Sequence, residues 1–417
     1  MPERLEAADH LVLGEGEEIV PRFATDFEAG LADRIYREAT KPDMRLSPVP
    51  RYDLLKIHFY LYLSVQFSRG YPFQCEFCDI ITLYGRVPRT KAPSQVIAEL
   101  EAILATGFRG RVLFVDDNFI GSKKDVRRLL REIAAWRSRT RAPLDFFTET
   151  SIDLADRPEL VRAMTDAGFA VVFVGIETPS VESLRETRKL QNVNRDLVKQ
   201  VRSLRAAGLD VWAGFILGFD SDGPDIFDRM IDFVQRAGIA YAMVGTLIAL
   251  PGTPLYDRLR REGRLRPDLE HGDMFDFSNV ETTIPTRQLV DGYIRVLETL
   301  YHPKFYFERC REHLDYWEEA PGLARNAAWN MLPAVFRSLW HQGVRSRYRR
   351  AYWSFLAWVL RNGPRKLPLA MAQAIGGHHF ILYTQATVVP RLRHESHSWQ
   401  DDTVRSSAQP EASTIQR

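Results

Sequence analysis

Cys75 and Cys78, in Cys-Glu-Phe-Cys, are the residues of this chain whose type and spacing most directly imply chemistry. Two thiols three residues apart can supply half a zinc site, a redox couple or part of an iron–sulfur loop. They can also be two inert buried side chains. Zinc takes four ligands, and no second pair or histidine cluster of suitable spacing accompanies these two. A redox pair opens a helix whose N-terminus acidifies the thiol, whereas the run after Cys78, DIITLYGRVPRTKAP, reads as a long loop. From the motif alone, an iron–sulfur loop and an inert pair both stay open. Tyr71 stands four residues before Cys75, where a third sulfur would complete a cluster loop.

A second set of polar and glycine positions falls at the ends of β-rich apolar runs. Asp116, Asp117 and Asn118 follow VLFV, Glu149 ends DFFTET, and Glu177 ends VVFVGIE. Gly214, Ile216 and Gly218 form a G-x-I-x-G pattern in VWAGFILGF. Singly, such residues are common turn or packing features. Their coincidence at successive strand ends is what suggests a site.

The elements that must position them are legible as a repeat. Six apolar runs, at 61–67, 112–117, 145–150, 171–177, 211–219 and 242–250, alternate with helical patterns such as Val96, Leu100 and Ile103. Four of those helices end in glycine followed by an apolar residue, at Gly107, Gly168, Gly208 and Gly238, the signature of a left-handed C-cap. Nearly continuous apolar strands alternating with amphipathic helices imply an α/β fold with parallel strands covered by helices. Six units fit a partial barrel or a doubly wound sheet, and either places the chemistry at the C-terminal strand ends.

Composition sets the outer bounds. With 45% apolar and 26% charged residues, the 417-residue chain has ordinary globular values, and its net charge of +2 selects no partner. Three cysteines argue against a disulfide framework and for a reducing compartment. MPERLEAADH lacks the apolar stretch of a signal peptide, and the longest apolar run, at 352–360, is too short to span a bilayer. The expected location is cytoplasmic, or peripheral at the inner membrane face. The stretch 321–394 contains no Asp or Glu, yet it interleaves arginines with Trp340, Trp353, Phe355 and Trp358. That pattern suits an interfacial helix on an anionic surface, or equally helices packed on the core with solvated arginines; a nucleic-acid partner is not indicated. His378 and His379 read as a pair at a helix end.

Taken together, the Ser68-Arg69-Gly70 lead, Phe77 before Cys78, the GRVPRTK loop and the six βα units resemble the radical SAM superfamily. "CDIITLYGRVPR", "FVDDNFIG", "GIETPSVESL", "GFILGFD", "ALPGTPLY" and "LYHPKFYFER" resemble its branch with an N-terminal cobalamin-binding domain and a DUF4070-type C-terminal extension, which includes hopanoid methylases. The resemblance implies a partial (β/α)6 TIM-like barrel with a mostly helical C-terminal extension. It further implies a [4Fe–4S] cluster held in part by Cys75 and Cys78, and S-adenosylmethionine held by Asp116, Asp117, Asn118, Glu149, Glu177, Gly214, Ile216 and Gly218. Its chemistry would be methylation or other functionalisation of an unactivated carbon in a small or lipidic substrate, with a flavodoxin- or ferredoxin-like electron donor. The expected division is 1–55 as linker or remnant of a cobalamin domain, 56–265 as barrel, 266–395 as helical extension and 396–417 as disordered tail.

Three departures qualify that expectation. Tyr71 replaces the first cluster cysteine, and a phenol is a hard, weakly acidic donor where a soft thiolate is needed. "AADHLVLGEGEEIVPRF" resembles the last strand and exit linker of a cobalamin domain, but no D-x-H-x-x-G motif is present, so cobalamin is implied only if that domain exists. Ser221 stands where an acidic residue usually follows G-x-I-x-G. Activity of this sequence therefore turns on Tyr71, and the competing expectation is a cluster-deficient, catalytically inactive SAM-fold binding protein or a truncated gene product. Cys310, on a helix beyond the sixth strand, is expected to lie away from Cys75 and Cys78 and to be structural.

Overall fold

A computed structural model describes residues 7–266, 277–318 and 332–394; the expected polar tail at 396–417 lies outside the described residues. Short strands β1 (Leu11–Leu13) and β2 (Ile35–Arg37) pair in parallel around helix α1 (Gly16–Glu28). The stretch that reads as an exit linker is thus a small β–α–β unit, with Ile19 buried. Its helix was hidden because Pro21 and a run of glutamates blur the apolar period.

Each of the six apolar runs forms a strand: β3 (Tyr62–Val65), β6 (Gly110–Phe114), β7 (Leu144–Thr150), β8 (Phe169–Glu177), β9 (Asp210–Leu217) and β10 (Ala242–Thr246). Between them lies a two-stranded antiparallel ribbon, β4 (Ser68–Arg69) with β5 (Arg89–Thr90). The large sheet runs β10-β9-β8-β7-β6-β3, parallel throughout and in chain order. Sequential βα units curl in one direction, so the result is a half barrel whose strands all end at one rim.

Period-two alternation assigns the two faces. Val112, Phe114, Phe146, Val172, Val174, Val211 and Phe215 are buried under the helices. Leu113, Val115, Glu149, Phe173, Trp212, Gly214 and Ile216 alternate with them and face an accessible hollow. On the helix side, Phe114, Phe119, Phe146 and Phe169 form a ring cluster with centroids 4.8–5.4 Å apart, a separation at which tilted and edge-on packing is favourable.

The covering helices are α3 (Pro93–Ala105), α4 (Lys123–Thr140), α5 (Pro158–Ala167), α7 (Leu197–Ala206) and α8 (Ile226–Ala237), with a short α6 (Val181–Glu186) near the rim. The four glycines expected to end helices all have positive φ. Gly238 shows why: its φ is +62°, and an added Cβ would lie 2.6 Å from Arg205 Nη1 and 3.0 Å from the His313 backbone nitrogen. The Arg205 guanidinium is buried there and donates to the carbonyls of Ala237 and Glu312.

Beyond the barrel, α9 (Pro254–Arg261) lies at the rim, and α10 (Thr286–Leu300) and α11 (Pro303–Tyr316) pack on the barrel helices. Tyr293 and Tyr301 donate hydroxyls to the carbonyls of Val244 and Ala242. Helices α12 (Leu332–Trp340), α13 (Arg349–Asn362) and α14 (Leu367–Tyr383) complete the extension. Gly376 and Gly377 of α14 admit Tyr241 and Tyr306: a Cβ would strike the Tyr241 hydroxyl at 2.3 Å and the Tyr306 ring at 2.2 Å. His378 and His379 sit within this helix rather than at its end: His378 hydrogen-bonds the Tyr348 hydroxyl and His379 stacks on Tyr383. Among the described residues, no helix is long and apolar enough to cross a membrane.

Glu15 fastens the N-terminal unit to the ribbon. Its carboxylate, 3% exposed, takes Arg69 and Arg89, each at 2.6 Å. Removing one member of so buried a group leaves uncompensated charge. Glu15→Ala is expected to cost roughly 3 kcal/mol, read as a lower urea midpoint, with faster amide exchange concentrated in the β4–β5 ribbon. Unchanged exchange there would show that the contact does not hold the ribbon.

Candidate functional site

The cysteine loop leaves the sheet after Val65 and is anchored within three residues. The Asp116 carboxylate, fully buried at the end of β6, accepts the backbone N–H groups of Phe67 and Ser68 and the Ser68 hydroxyl. Gly70 then turns at φ +105°, where a Cβ would lie 2.7 Å from the Val87 carbonyl oxygen. Further on, the Cys78 N–H closes a turn on the Cys75 carbonyl at 3.2 Å. Glu76 pins the middle of the pair: its N–H donates to Thr187, its carbonyl accepts from Leu255, and its carboxylate pairs with Arg258 at 2.7 Å. A short helix, α2 (Ile80–Tyr84), follows Cys78 directly, so the expectation of a continuous long loop is corrected. Five residues cannot show helical period in sequence.

Cys75 is buried and Cys78 partly so. Burial raises both thiols, Cys78 to about 11, against the nearby positive charge of Lys189. Tyr71 lies beside them, buried, its hydroxyl 3.4 Å from Gln191 Nε2, which also lies 3.7 Å from Cys75 Sγ. Burial pushes the Tyr71 phenol well above its ordinary value, with the cysteines adding to the shift. Among the described residues, no group of three or more His, Cys, Asp or Glu is placed to hold a metal ion. Two thiols and a protonated phenol do not match the three soft thiolates of a [4Fe–4S] loop.

Cys310 supplies no third sulfur. It is buried on α11 with Tyr306 and Asp210 as neighbours. Asp210 opens β9, and Gly218, just past the far end of that strand, marks the rim. Cys310 therefore sits at the opposite end of the sheet from the cysteine loop, as the sequence suggested.

The acidic positions divide by role. Asp116 is spent on the loop backbone, and Asn118 on Ser151, at 3.2 Å to both its N–H and its hydroxyl. Asp117, between them, lies against the Gly70 backbone, and its buried Oδ2 has no partner. Glu149 reaches into the hollow from β7. Glu177, at φ +67°, ends β8 beyond a register shift and pairs with Lys189 at 2.6 Å. A non-glycine residue held in that region is strained, a pattern concentrated at ligand clamps. Burial raises Asp117 to about 6 and Glu149 to about 7. For Glu149 the charges of Asp117 and Glu177 add to burial, and Lys189 opposes. Glu149 stays water-accessible, so its shift reflects the surrounding protein and carboxylates rather than full exclusion of solvent.

On the next strand, Gly214 and Ile216 face the hollow, and a Cβ on Gly214 would crowd the Phe173 ring at 3.1 Å. Gly218 turns at φ +101°. Its N–H and that of Phe219 donate to Asp222 Oδ2 at 2.9 and 3.0 Å, while Ser183 donates to Oδ1 at 2.7 Å. The acidic residue found wanting at Ser221 is thus supplied one position later. Phe219 meets Phe77 of the cysteine motif at 6.0 Å.

Lys189, Gln191 and Asp222 were missed from sequence. In "RETRKLQN", a lysine and a glutamine in a polar run look like a solvated helix end. No periodic signal marks them, because a 3-10 turn at Leu190–Asn192 folds them back under the loop. Lys189 Nζ lies 6.0 Å from the Phe77 ring centroid. Burial would lower its ammonium, but Glu177, Tyr71 and Cys75 outweigh burial and hold it above its ordinary value.

Comparison with known proteins agrees with this geometry. The Radical SAM superfamily model matches residues 65–234, and a domain of unknown function, DUF4070, matches 253–390. An uncharacterized methyltransferase of Synechocystis sp. is 39% identical over 91% of this chain and 71% of its own length. The hopanoid C-2 methylase of Rhodopseudomonas palustris is 35% identical over 90% and 72%. In fold, the chain is similar to the cobalamin-dependent S-adenosylmethionine radical enzyme OxsB (TM-score 0.54, 14% identity, 94% of this chain and 64% of that one). It is also similar to the radical S-adenosylmethionine methyltransferase TsrM of Kitasatospora setae (0.54, 16%, 78% and 77%). A half barrel carrying its cysteine pair and carboxylates at one rim, in a chain that shares more than a third of its sequence with two methyl-transferring relatives over most of their length, belongs to the radical SAM superfamily and to its methyltransferase-type enzymes.

Proposed function

We propose that the rim of the half barrel binds S-adenosylmethionine, and that the lineage's chemistry is methylation of an unactivated carbon in a small or lipidic molecule held in the hollow. The observation that carries this reading is the unpartnered Asp117 carboxylate oxygen beside the water-accessible Glu149. Carboxylates gathered at one strand-end rim suit a ligand bearing an ammonium and a sulfonium. Asp117 and Glu149 would hold those cations, and Glu177, already paired with Lys189, would accept hydrogen bonds from the ribose hydroxyls. Gly214, Ile216 and Gly218 leave a flat backbone edge for an aromatic base. When bound, S-adenosylmethionine supplies the transferable methyl group. Leu113, Val115, Phe173 and Trp212 line the hollow with apolar surface, which favours an apolar substrate.

The cluster of the lineage is a separate matter. Cys75 and Cys78 are suited to hold part of it, and the burial of Tyr71 argues that the wild-type loop retains two thiolate ligands. His10 is committed to the Asp33 carbonyl at 2.8 Å and packs on Phe23 and Phe27, which argues against a role as cobalt ligand. A second reading, a pocket that binds the nucleoside without electron transfer, is favoured by the same Tyr71 observation and differs only in what the loop can load.

Anaerobic reconstitution with iron and sulfide separates the two. Tyr71→Cys is expected to reach a full [4Fe–4S] complement with its charge-transfer absorbance, and the wild-type chain to fall short. A wild-type chain that loads as fully as the variant would show that the phenol, or an outside ligand, completes the set.

Ligand binding carries its own pH signature. Below their raised values Asp117 and Glu149 are protonated, and a cation binds less well. Affinity for S-adenosylmethionine is therefore expected to climb as pH rises through about 6 to about 7, with proton release visible in calorimetry across buffers of different ionisation enthalpy. Asp117→Asn should weaken binding roughly tenfold. Binding that is flat with pH and indifferent to that substitution would remove the assignment.

The same shifts predict a stability effect. A carboxyl whose folded value lies above its unfolded one contributes stability below the unfolded value and loses it as pH rises through the folded one. Glu149→Gln should thus raise the melting temperature at pH 8 relative to wild type, but not at pH 4, while weakening ligand binding. A lower melting temperature at pH 8 would count against the repulsion among these carboxylates.

A further inference from the structure

The C-terminal extension carries a surface that the barrel's chemistry does not use. Helix α12 continues without a break into a π-turn at His341–Arg345, forming one rod. Its inner face sets Val335 and Leu339 on the core, but it also buries two polar side chains, Ser338 and Gln342. These bond each other at 2.9 Å, and Ser338 bonds the Tyr352 hydroxyl at 3.1 Å. The outer face carries Leu332, Phe336, Trp340 and Val344, spaced every four residues and all exposed, Phe336 by 67% and Trp340 by 55%. A water-facing helix would place its polar residues outside and its aromatics inside; here serine and glutamine are inside, and phenylalanine and tryptophan are outside.

The π-turn extends the stripe. Four-residue spacing drifts around an α-helix, and a wider turn at 341–345 compensates for that drift. Gly343 lies within it, where a Cβ would meet the Trp353 ring at 2.8 Å. Trp353 crosses from α13 to donate its indole N–H to the Gly343 carbonyl at 2.9 Å, and it remains 47% exposed. Phe336, Trp340, Val344 and Trp353 thus crowd one end of the extension.

The charges along this stretch of chain are of a single sign. Arg337, Arg345, Arg347, Arg349 and Arg350 are exposed, and none of them pairs with a carboxylate among the described residues. The stretch 321–394 contributes no acid. Exposed tryptophan and phenylalanine ringed by unpaired arginine fit the boundary of an anionic bilayer, where rings sit at headgroup depth and guanidiniums meet lipid phosphates. A protein partner would require acidic residues placed to match, and an RNA site would stack its bases on rings within a groove rather than on a convex rod. We propose that this face, Leu332 to Val344 with Trp353, docks the protein peripherally on an anionic lipid surface. The proposal stands apart from the cofactor reading and would hold for a chain that loads no cluster.

The test uses the full chain and vesicles of phosphatidylcholine, alone or mixed with phosphatidylglycerol, in co-sedimentation. Binding is expected to the mixed vesicles only, and to fall as salt is raised. The double variant Phe336→Ser with Trp340→Ser should partition about tenfold more weakly, as should the triple variant Arg345→Gln, Arg347→Gln, Arg349→Gln. All of these positions are exposed, so far-ultraviolet circular dichroism should match wild type. Failure to bind mixed vesicles, or equal binding by the double variant, would overturn the proposal. So would a concentration-dependent dimer that the double variant abolishes, which would give the stripe to a second copy, or preferential binding of single-stranded RNA over vesicles.

Discussion

The carboxylate of Asp116 accepts the N–H groups of Phe67 and Ser68 at the point where the first barrel strand leaves the sheet. A loop that exits a parallel sheet strands its backbone donors, because the next strand in the sheet has already ended. Burying an ionisable group to satisfy them is costly, and burial does push Asp116 up to about 7 against the donors that face it. The result is a fixed take-off for the chain. Gly70, Tyr71, Cys75 and Cys78 follow from it, and the Asp117 carboxylate lies against the Gly70 backbone.

From that take-off the rim is assembled by charge as much as by packing. Asp117, Glu149 and Glu177 approach each other with one internal cation, Lys189, pairing directly with Glu177. Burial first, and like charge after it, pushes Asp117 and Glu149 toward neutrality, with Asp79 acting on Asp117 and Asp117 and Glu177 acting on Glu149. Glu177 is held in a strained backbone conformation at the same rim. Lys189 also stands against Tyr71 and Cys75, so the carboxylate side and the thiol side of the rim share an electrostatic environment.

Tyr71 sits in a loop whose backbone is tied down on both sides of it. A tyrosine is larger than a cysteine, yet the loop keeps its turn on Cys75, its tie to Thr187 and its ribbon to Thr90. Gln191 reaches both the phenol and the Cys75 sulfur. The loop's geometry is set by backbone contacts, among them that of the Tyr71 N–H with the Gly85 carbonyl at 3.1 Å, and none of these needs a particular side chain at residue 71.

The sequence by itself determined the six strands, their parallel orientation, the glycine-ended helices and the strand ends at which Glu149, Glu177 and Gly218 stand. These follow from local signals, since apolar period, cap chemistry and strand-end position are each written in a few adjacent residues. It determined equally that Cys310, four residues after Tyr306 on an aromatic helix, would be structural. That the strands follow one another in chain order was decided by the tertiary structure. Only the tertiary structure decided that Asp116 and Asn118 are consumed by backbone and Ser151 while Asp117 between them keeps one buried carboxylate oxygen without a partner. Only the tertiary structure brought Lys189, Gln191 and Asp222 to the rim, and revealed a helix in the N-terminal stretch that read as a linker. It also turned Phe336 and Trp340 outward while Ser338 and Gln342 face in. In each of these cases the deciding partner lies tens of residues away, and which face of an element finds that partner is fixed by packing between elements rather than by the pattern along any one of them.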